Sequence, residues 1–193
     1  MWKTLESLAL STVQQIEAPA SVLEIEAGVH SFSNQCVGVH DGFVFVFSSA
    51  STDCSVHADV AVEHFVGKAV AALAMHKDHS LDLVYGRTIL STVSQRETNE
   101  LLDMLSKKLS STGQLCLGFL PSDNMSMMRG VAKASYELFP LNEHYQSVVG
   151  LNEPVRFWGQ AELIEIFSNY GLEMNPIMKG EGIEGIALGK RTL

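Results

Sequence analysis

Three short apolar runs constrain this fold most: Val22-Leu23-Glu24-Ile25, Gly42-Phe43-Val44-Phe45-Val46-Phe47 and Leu81-Asp82-Leu83-Val84-Tyr85. A strand with one face in water alternates apolar and polar residues, whereas runs that are apolar at nearly every position suit strands covered on both faces. Each run leads into a turn, at Glu26-Ala27-Gly28, Ser48-Ser49-Ala50-Ser51 and Gly86-Arg87 respectively. Strands of this kind, separated by helical segments, belong to a mostly parallel sheet with helices on both faces.

The intervening segments supply the helices. Trp2, Leu5, Leu8 or Ala9, Val13 and Ile16 fall at helical spacing before Pro19, so residues 1–18 read as an amphipathic lead-in helix. Ser94-Gln95-Arg96-Glu97 has the pattern of a capping box, in which Ser and Glu side chains satisfy free amides at a helix start. That helix carries Leu101, Leu102, Leu105 and Leu109 on one face and reads through to Ser111-Thr112-Gly113, with Gly113 suited to a left-handed cap. Residues 60–66 fit both periods and are open to strand or helix, with strand favoured. Residues 114–120 form another, ended by Pro121. Helical potential runs through 125–138, and a later helix over 160–170 aligns Ile164, Phe167 and Tyr170. Residues 172–177 and 183–190 then close the chain as paired strands. The fold class is α/β, a doubly wound sheet in one domain spanning 1–193, with residues 122–158 interrupting the alternation as a lid or partner-binding insertion.

Composition excludes several functions. A formal charge of −9 argues against broad nucleic-acid contact, which needs Lys and Arg to neutralise phosphates. No apolar run reaches the roughly 18 residues of a membrane helix, and the start lacks a basic segment followed by an apolar one; cytoplasmic placement without membrane insertion is the expectation. Cys36, Cys54 and Cys116 lack CxxC spacing and read as buried reduced thiols. His76 and His79, and the pair His57 and His64, lack a third ligand nearby, so surface histidines are preferred to a metal site. Neither a phosphate-binding GxxxxGK[ST] loop nor a G-x-S-x-G elbow occurs.

Three segments in order resemble the class I S-adenosylmethionine (SAM)-dependent methyltransferases. Val22-Leu23-Glu24-Ile25-Glu26-Ala27-Gly28-Val29-His30 is similar to that family's first motif, an acid followed by alternate glycines. His79-Ser80-Leu81-Asp82-Leu83-Val84-Tyr85 is similar to its fourth-strand motif, with Leu109-Ser110-Ser111-Thr112-Gly113-Gln114-Leu115 like the turn into the fifth strand. Gln160-Ala161-Glu162-Leu163-Ile164 through Tyr170-Gly171-Leu172-Glu173 is like its late helix and strand.

The resemblance implies a SAM site at Glu24, Ala27, Gly28, Ser48, Lys68, Ala69, Tyr85 and Gly86, with Glu24 facing the cofactor's ammonium group. Four departures lie on this ligand side. Glu26 and His30 replace glycines, and strain at a left-handed position costs roughly 1 to 2 kcal/mol. No acid stands at Phe47-Ser48 to hold the ribose; Asp41 lies too early and Asp53 late, so that either substitutes only if the loop is unusual. Lys68 occupies the place of the acid that meets adenine, where a donor cannot accept the exocyclic amine's proton. Finally, Ile89-Leu90-Ser91-Thr92 lacks the histidine that many small-molecule enzymes of the family carry there.

Two readings follow. In the preferred one the protein is a methyltransferase-like pseudoenzyme with degenerate SAM motifs, a noncatalytic scaffold or regulatory partner of another protein. The alternative is an active SAM-dependent enzyme methylating a small apolar or aromatic acceptor, with His144 as the general base within the insertion. The Met-rich stretch Met125-Ser126-Met127-Met128 serves equally as an adaptable lid or as packing against the sheet.

Overall fold

A computed structural model describes residues 3–16, 20–25, 32, 43–48, 61–66, 68–130, 138–179 and 185–192. The elements run α1 (Lys3–Gln15), β1 (Ser21–Ile25), β2 (Phe43–Ser48), β3 (Ala61–Val66), α2 (Ala69–Met75), β4 (Leu81–Gly86) and α3 (Ile89–Thr92). They continue through α4 (Gln95–Lys108), β5 (Leu109–Pro121), a 3-10 turn (Ser122–Asn124), α5 (Met125–Met128), α6 (Glu143–Val149), β6 (Phe157–Trp158), α7 (Gln160–Ser168), β7 (Leu172–Lys179) and β8 (Gly185–Arg191).

The strands order as β3-β2-β1-β4-β5-β8-β7, with β6 pairing β5 off this path. β1 to β5 are parallel, and β8 lies antiparallel between β5 and β7. This is the doubly wound α/β sheet read from the apolar runs. Two cores cover its faces. Leu23, Ile25 and Val84 point to the face packed by Leu73 of α2, Leu101, Leu102 and Leu105 of α4, and Leu163 and Phe167 of α7. Val22, Leu83 and Tyr85 point to the other, under Leu5, Ala9 and Val13 of α1 and Val149 of α6. The i, i+4, i+8 spacing of those α1 residues is one helical stripe, and each fully buried Leu contributes about 1.5 to 3 kcal/mol.

The capping box forms as read: the Glu97 amide donates to Ser94 Oγ at 3.3 Å, and the Ser94 amide donates to Glu97 Oε2 at 3.1 Å. Three readings need correction. First, α4 ends at Lys108, and Leu109 already begins β5. Gly113 is no left-handed cap; it lies in the strand, where a Cβ would come within 2.6 Å of the Leu81 carbonyl oxygen. The glycine permits close backbone approach beside an irregularity in the β4–β5 register. Second, the helix read over 125–138 stops at Met128, because Arg129 turns extended and bridges Leu141; residues 131–137 lie outside the described residues. A helix not foreseen, α6, starts instead at Asn142, whose side chain accepts the Tyr145 amide at 3.1 Å. Third, of the aligned Ile164, Phe167 and Tyr170 on α7, Phe167 is buried beside Leu163 and Ile166 and Tyr170 packs partly buried on that core, whereas Ile164 is 43% exposed. Gly171, at φ +66°, makes the left-handed turn into β7.

Among the described residues no helix is long and apolar enough to cross a membrane. Cys116 is buried, donates from Sγ to the Leu5 carbonyl at 3.7 Å, and has its thiol pushed up to about 12 by burial. Cys36 and Cys54 lie outside the described residues.

Candidate functional site

In an open α/β sheet, ligands settle beyond the carboxyl ends of the strands where the order reverses. Here that place is the gap between β1, which leads toward β2, and β4, which leads toward β5. Register sets Glu24 beside Tyr85 and Ile25 beside Gly86. Three of the expected cofactor positions, Glu24, Tyr85 and Gly86, therefore meet at one point.

Glu24 is 1% exposed. Ionised carboxylates are buried only when hydrogen-bonded or paired, and Glu24 Oε1 accepts the Phe32 backbone amide at 2.8 Å. The Phe32 ring stacks on Tyr85 with centroids 4.3 Å apart, and both residues are fully buried. The acid, the amide and the two rings thus form one closed unit near the end of β1, on the face of the sheet packed by α1.

Tyr85 reaches outward to a charged pair. Arg87 donates from Nε to the Tyr85 hydroxyl at 3.4 Å and pairs through a terminal nitrogen with Glu6 of α1. Burial drives the Tyr85 phenol well above its usual range, with Arg87 pulling only part of the way back. The hydroxyl therefore stays protonated through the physiological range and does not serve as a base. Burial works against the charge of Arg87, but Tyr85 and Glu6 outweigh it and hold the guanidinium more firmly protonated.

Beyond Gly86, a Cβ at this glycine would sit 3.0 Å from Ile89 Cγ2, so its absence lets α3 fold back on the strand end. Ser91, the polar member of the segment without a histidine, is fully buried. Its hydroxyl accepts the Leu120 amide at 2.9 Å and its carbonyl accepts the Arg156 amide at 2.7 Å. Arg156 lies over the Trp158 ring at 3.9 Å and binds Glu162 at 2.7 Å. This polar cluster ties α3, β5 and β6 together.

Ser48, Lys68 and Ala69 follow along the carboxyl ends of the neighbouring strands β2 and β3. Ser48 ends β2, the second strand from β4. Lys68 precedes α2 with its side chain 81% exposed, 3.6 Å from Glu97, and Ala69 is the first residue of that helix. Ala27 and Gly28, with Glu26 and His30, lie outside the described residues. His144 is exposed on α6, its ring edge-on to Tyr145 at 4.9 Å; among the described residues it makes no hydrogen bond or ring contact with Glu24, Tyr85 or Arg87.

Sequence reasoning missed Phe32, Glu6, Arg87 and Ser91. Only Phe32 left a signal, as the first aromatic residue after the glycine turn. The Glu6–Arg87 pair joins residues 81 apart, beyond the reach of any local pattern. Among the described residues, no three His, Cys, Asp or Glu side chains lie together as a metal site would require.

No family profile matches the sequence, and no curated protein matches it. Solved structures do match. A Pyrococcus horikoshii protein superposes with a TM-score of 0.74 at 14% identity, covering 99% of this chain and 89% of that one. The 1,6-didemethyltoxoflavin-N1-methyltransferase of Burkholderia thailandensis, with bound 1,6-didemethyltoxoflavin and S-adenosylhomocysteine, gives 0.70 at 11% identity over 99% and 80%. A SAM-dependent methyltransferase from Methanosarcina mazei gives 0.71 at 12% identity over 92% and 95%. At such identities the likeness is one of fold.

Proposed function

On a chain with the class I SAM-dependent methyltransferase fold, we propose a noncatalytic role: a scaffold or regulatory partner of another protein, built on a methyltransferase framework whose cofactor grip is lost. The observation that carries this is the closed Glu24–Phe32–Tyr85 unit. Glu24 is the acid placed to meet the cofactor's ammonium group, yet it is 1% exposed and occupied by the Phe32 amide. A ligand ammonium would have to displace the Phe32 amide or open the packing that leaves Glu24 1% exposed.

The neighbouring polar groups support the same reading, because they satisfy one another. Tyr85, Arg87 and Glu6 form a chain, and Ser91 holds Leu120 and Arg156. At the adenine place stands Lys68, exposed and paired with Glu97, where an acceptor is needed. The described residues therefore fit SAM poorly, and no methyl-transfer step is derived through it. The alternative, an active enzyme acting on a small apolar or aromatic acceptor, keeps His144 as its candidate base, exposed on α6 with its ring edge-on to Tyr145 at 4.9 Å, while Tyr85 stays protonated.

Thermal melting with SAM or S-adenosylhomocysteine at about 1 mM tests the proposal. Binding at a hundredth of that concentration would add about 2.7 kcal/mol of stability, so an unchanged melting temperature supports the noncatalytic reading and a clear rise defeats it.

A further inference from the structure

Among the described residues, His79 in the turn between α2 and β4 is the one non-glycine residue with a positive φ, at +59°. Side chains rarely adopt this left-handed region, and a residue stays there only where its surroundings hold it. Two backbone bonds to the end of α4 do so: the His79 amide donates to the Lys107 carbonyl at 2.9 Å, and the Ser80 amide to the Lys108 carbonyl at 3.0 Å.

The His79 side chain ties in two further elements. Its Nδ1 lies 2.6 Å from a guanidinium nitrogen of Arg191, at the end of β8, and 3.4 Å from the Leu109 carbonyl oxygen at the start of β5. These contacts demand opposite states of one atom. A guanidinium only donates, so Nδ1 must be bare to accept from Arg191; a carbonyl only accepts, so Nδ1 must carry a proton to bond Leu109. The same Arg191 nitrogen also lies 3.4 Å from the Leu109 oxygen, so a proton on Nδ1 competes for both of these Arg191 partners. We propose that His79 is a proton-operated latch on β8. Neutral, it holds Arg191 and the end of the strand against the turn into β4; protonated, it bonds Leu109 instead and releases Arg191. The latch lies at the amino ends of β4 and β5, opposite the crevice, and holds whether or not SAM binds there.

The charged groups around His79 are Lys77 and Asp78 of its own turn, Lys107 and Lys108 of α4, and Lys190 and Arg191 of β8. Most are engaged: Asp78 binds Lys108 at 2.6 Å, Lys107 binds Asp103 at 2.6 Å, and Lys190 binds Glu173 at 3.3 Å. Lys108 holds the Asp78 carboxyl below its ordinary 3.8, first through the hydrogen bond and then through its charge. That pair is complete above 3.8 and is lost only as pH falls through the lower folded value. Histidine, by contrast, is the side chain whose charge changes between about pH 5 and pH 8. The turn's other histidine, His76, is half-buried and is separated from His79 by substitution.

NMR of the full chain from about pH 8 down to about pH 5 tests the proposal. At the alkaline end, long-range imidazole spectra should place the His79 proton on Nε2, with Nδ1 bare. On acidification the Thr192 amide, which follows Arg191 and donates to the Gly171 carbonyl at 2.9 Å, should shift with the same midpoint as His79. Its protection against hydrogen exchange should fall about threefold. His79→Asn keeps an acceptor and tolerates the left-handed turn but does not titrate. In that variant the Thr192 amide should hold still across the same range, whereas a response driven by His76 would persist. A proton on Nδ1 at the alkaline end, a Thr192 midpoint different from that of His79, or the parent's Thr192 response in His79→Asn would overturn the proposal.

Discussion

Replacing Glu24 separates a structural acid from one held in reserve for a ligand. Glu24→Ala leaves the Phe32 amide without its acceptor beneath the stacked rings. A hydrogen bond is worth about 0.5 to 1.5 kcal/mol and abandoning a buried donor costs about 1 to 3 kcal/mol more, so the expected loss is about 2 to 4 kcal/mol. Glu24→Gln keeps an oxygen at the same reach for the Phe32 amide, at a cost of about 1 kcal/mol. With a urea dependence of about 2 kcal/mol per molar, the midpoint falls by roughly 1 to 2 M for Ala and about 0.5 M for Gln. Urea unfolding followed by far-ultraviolet circular dichroism measures both, and near-ultraviolet dichroism reports on the rings. A carboxylate kept for a ligand is buried without full compensation, and its removal would stabilise the free protein. Midpoints for either variant at or above the parent's would refute the reasoning.

Other expectations follow from the same geometry. Gly113→Ala places a Cβ 2.6 Å from the Leu81 carbonyl and 2.9 Å from the Ser110 amide, so it should cost more than about 2 kcal/mol, whereas Gly171→Ala, with its nearest neighbour at 3.7 Å, should cost only the roughly 1 to 2 kcal/mol of left-handed strain; chemical denaturation ranks the two. Ser94→Ala should cost about 1 kcal/mol at neutral pH by removing the α4 cap. The Glu97 carboxyl is held below its ordinary 4.5 chiefly by the Ser94 amide and then its hydroxyl, so its contribution is full above 4.5 and is lost as pH falls through the lower folded value; the gap between parent and Ser94→Ala should narrow on acidification, read from melts at stepped pH. Cys116, with its thiol near 12 and buried, should escape alkylation at pH 8 until the protein is unfolded, as peptide mass mapping would record.

Local chemistry made most of the fold legible. The apolar runs around Leu23, Phe45 and Val84 specify strands covered on both faces, and Ser94 with Glu97 fixes the start of α4 within a single turn. Errors came where distant atoms decide. Gly113 is the residue a helix end calls for, but the approach of Leu81 from another strand makes it a strand glycine. Ile164 is as apolar as Leu163; only the direction from which β7 and the sheet meet α7 leaves it in water. The crevice was half legible: its place and Glu24 follow from the strand-to-turn pattern, whereas the Phe32 amide, the Glu6–Arg87 pair and the hydrogen bonds of Ser91 depend on how separate elements pack.

The most direct test of the central claim is calorimetric titration of the folded protein with SAM and with S-adenosylhomocysteine near neutral pH. The closed Glu24–Phe32–Tyr85 unit predicts no binding heat up to millimolar ligand. Micromolar binding of either, about −8 kcal/mol, would contradict it and restore the reading of an active methyltransferase.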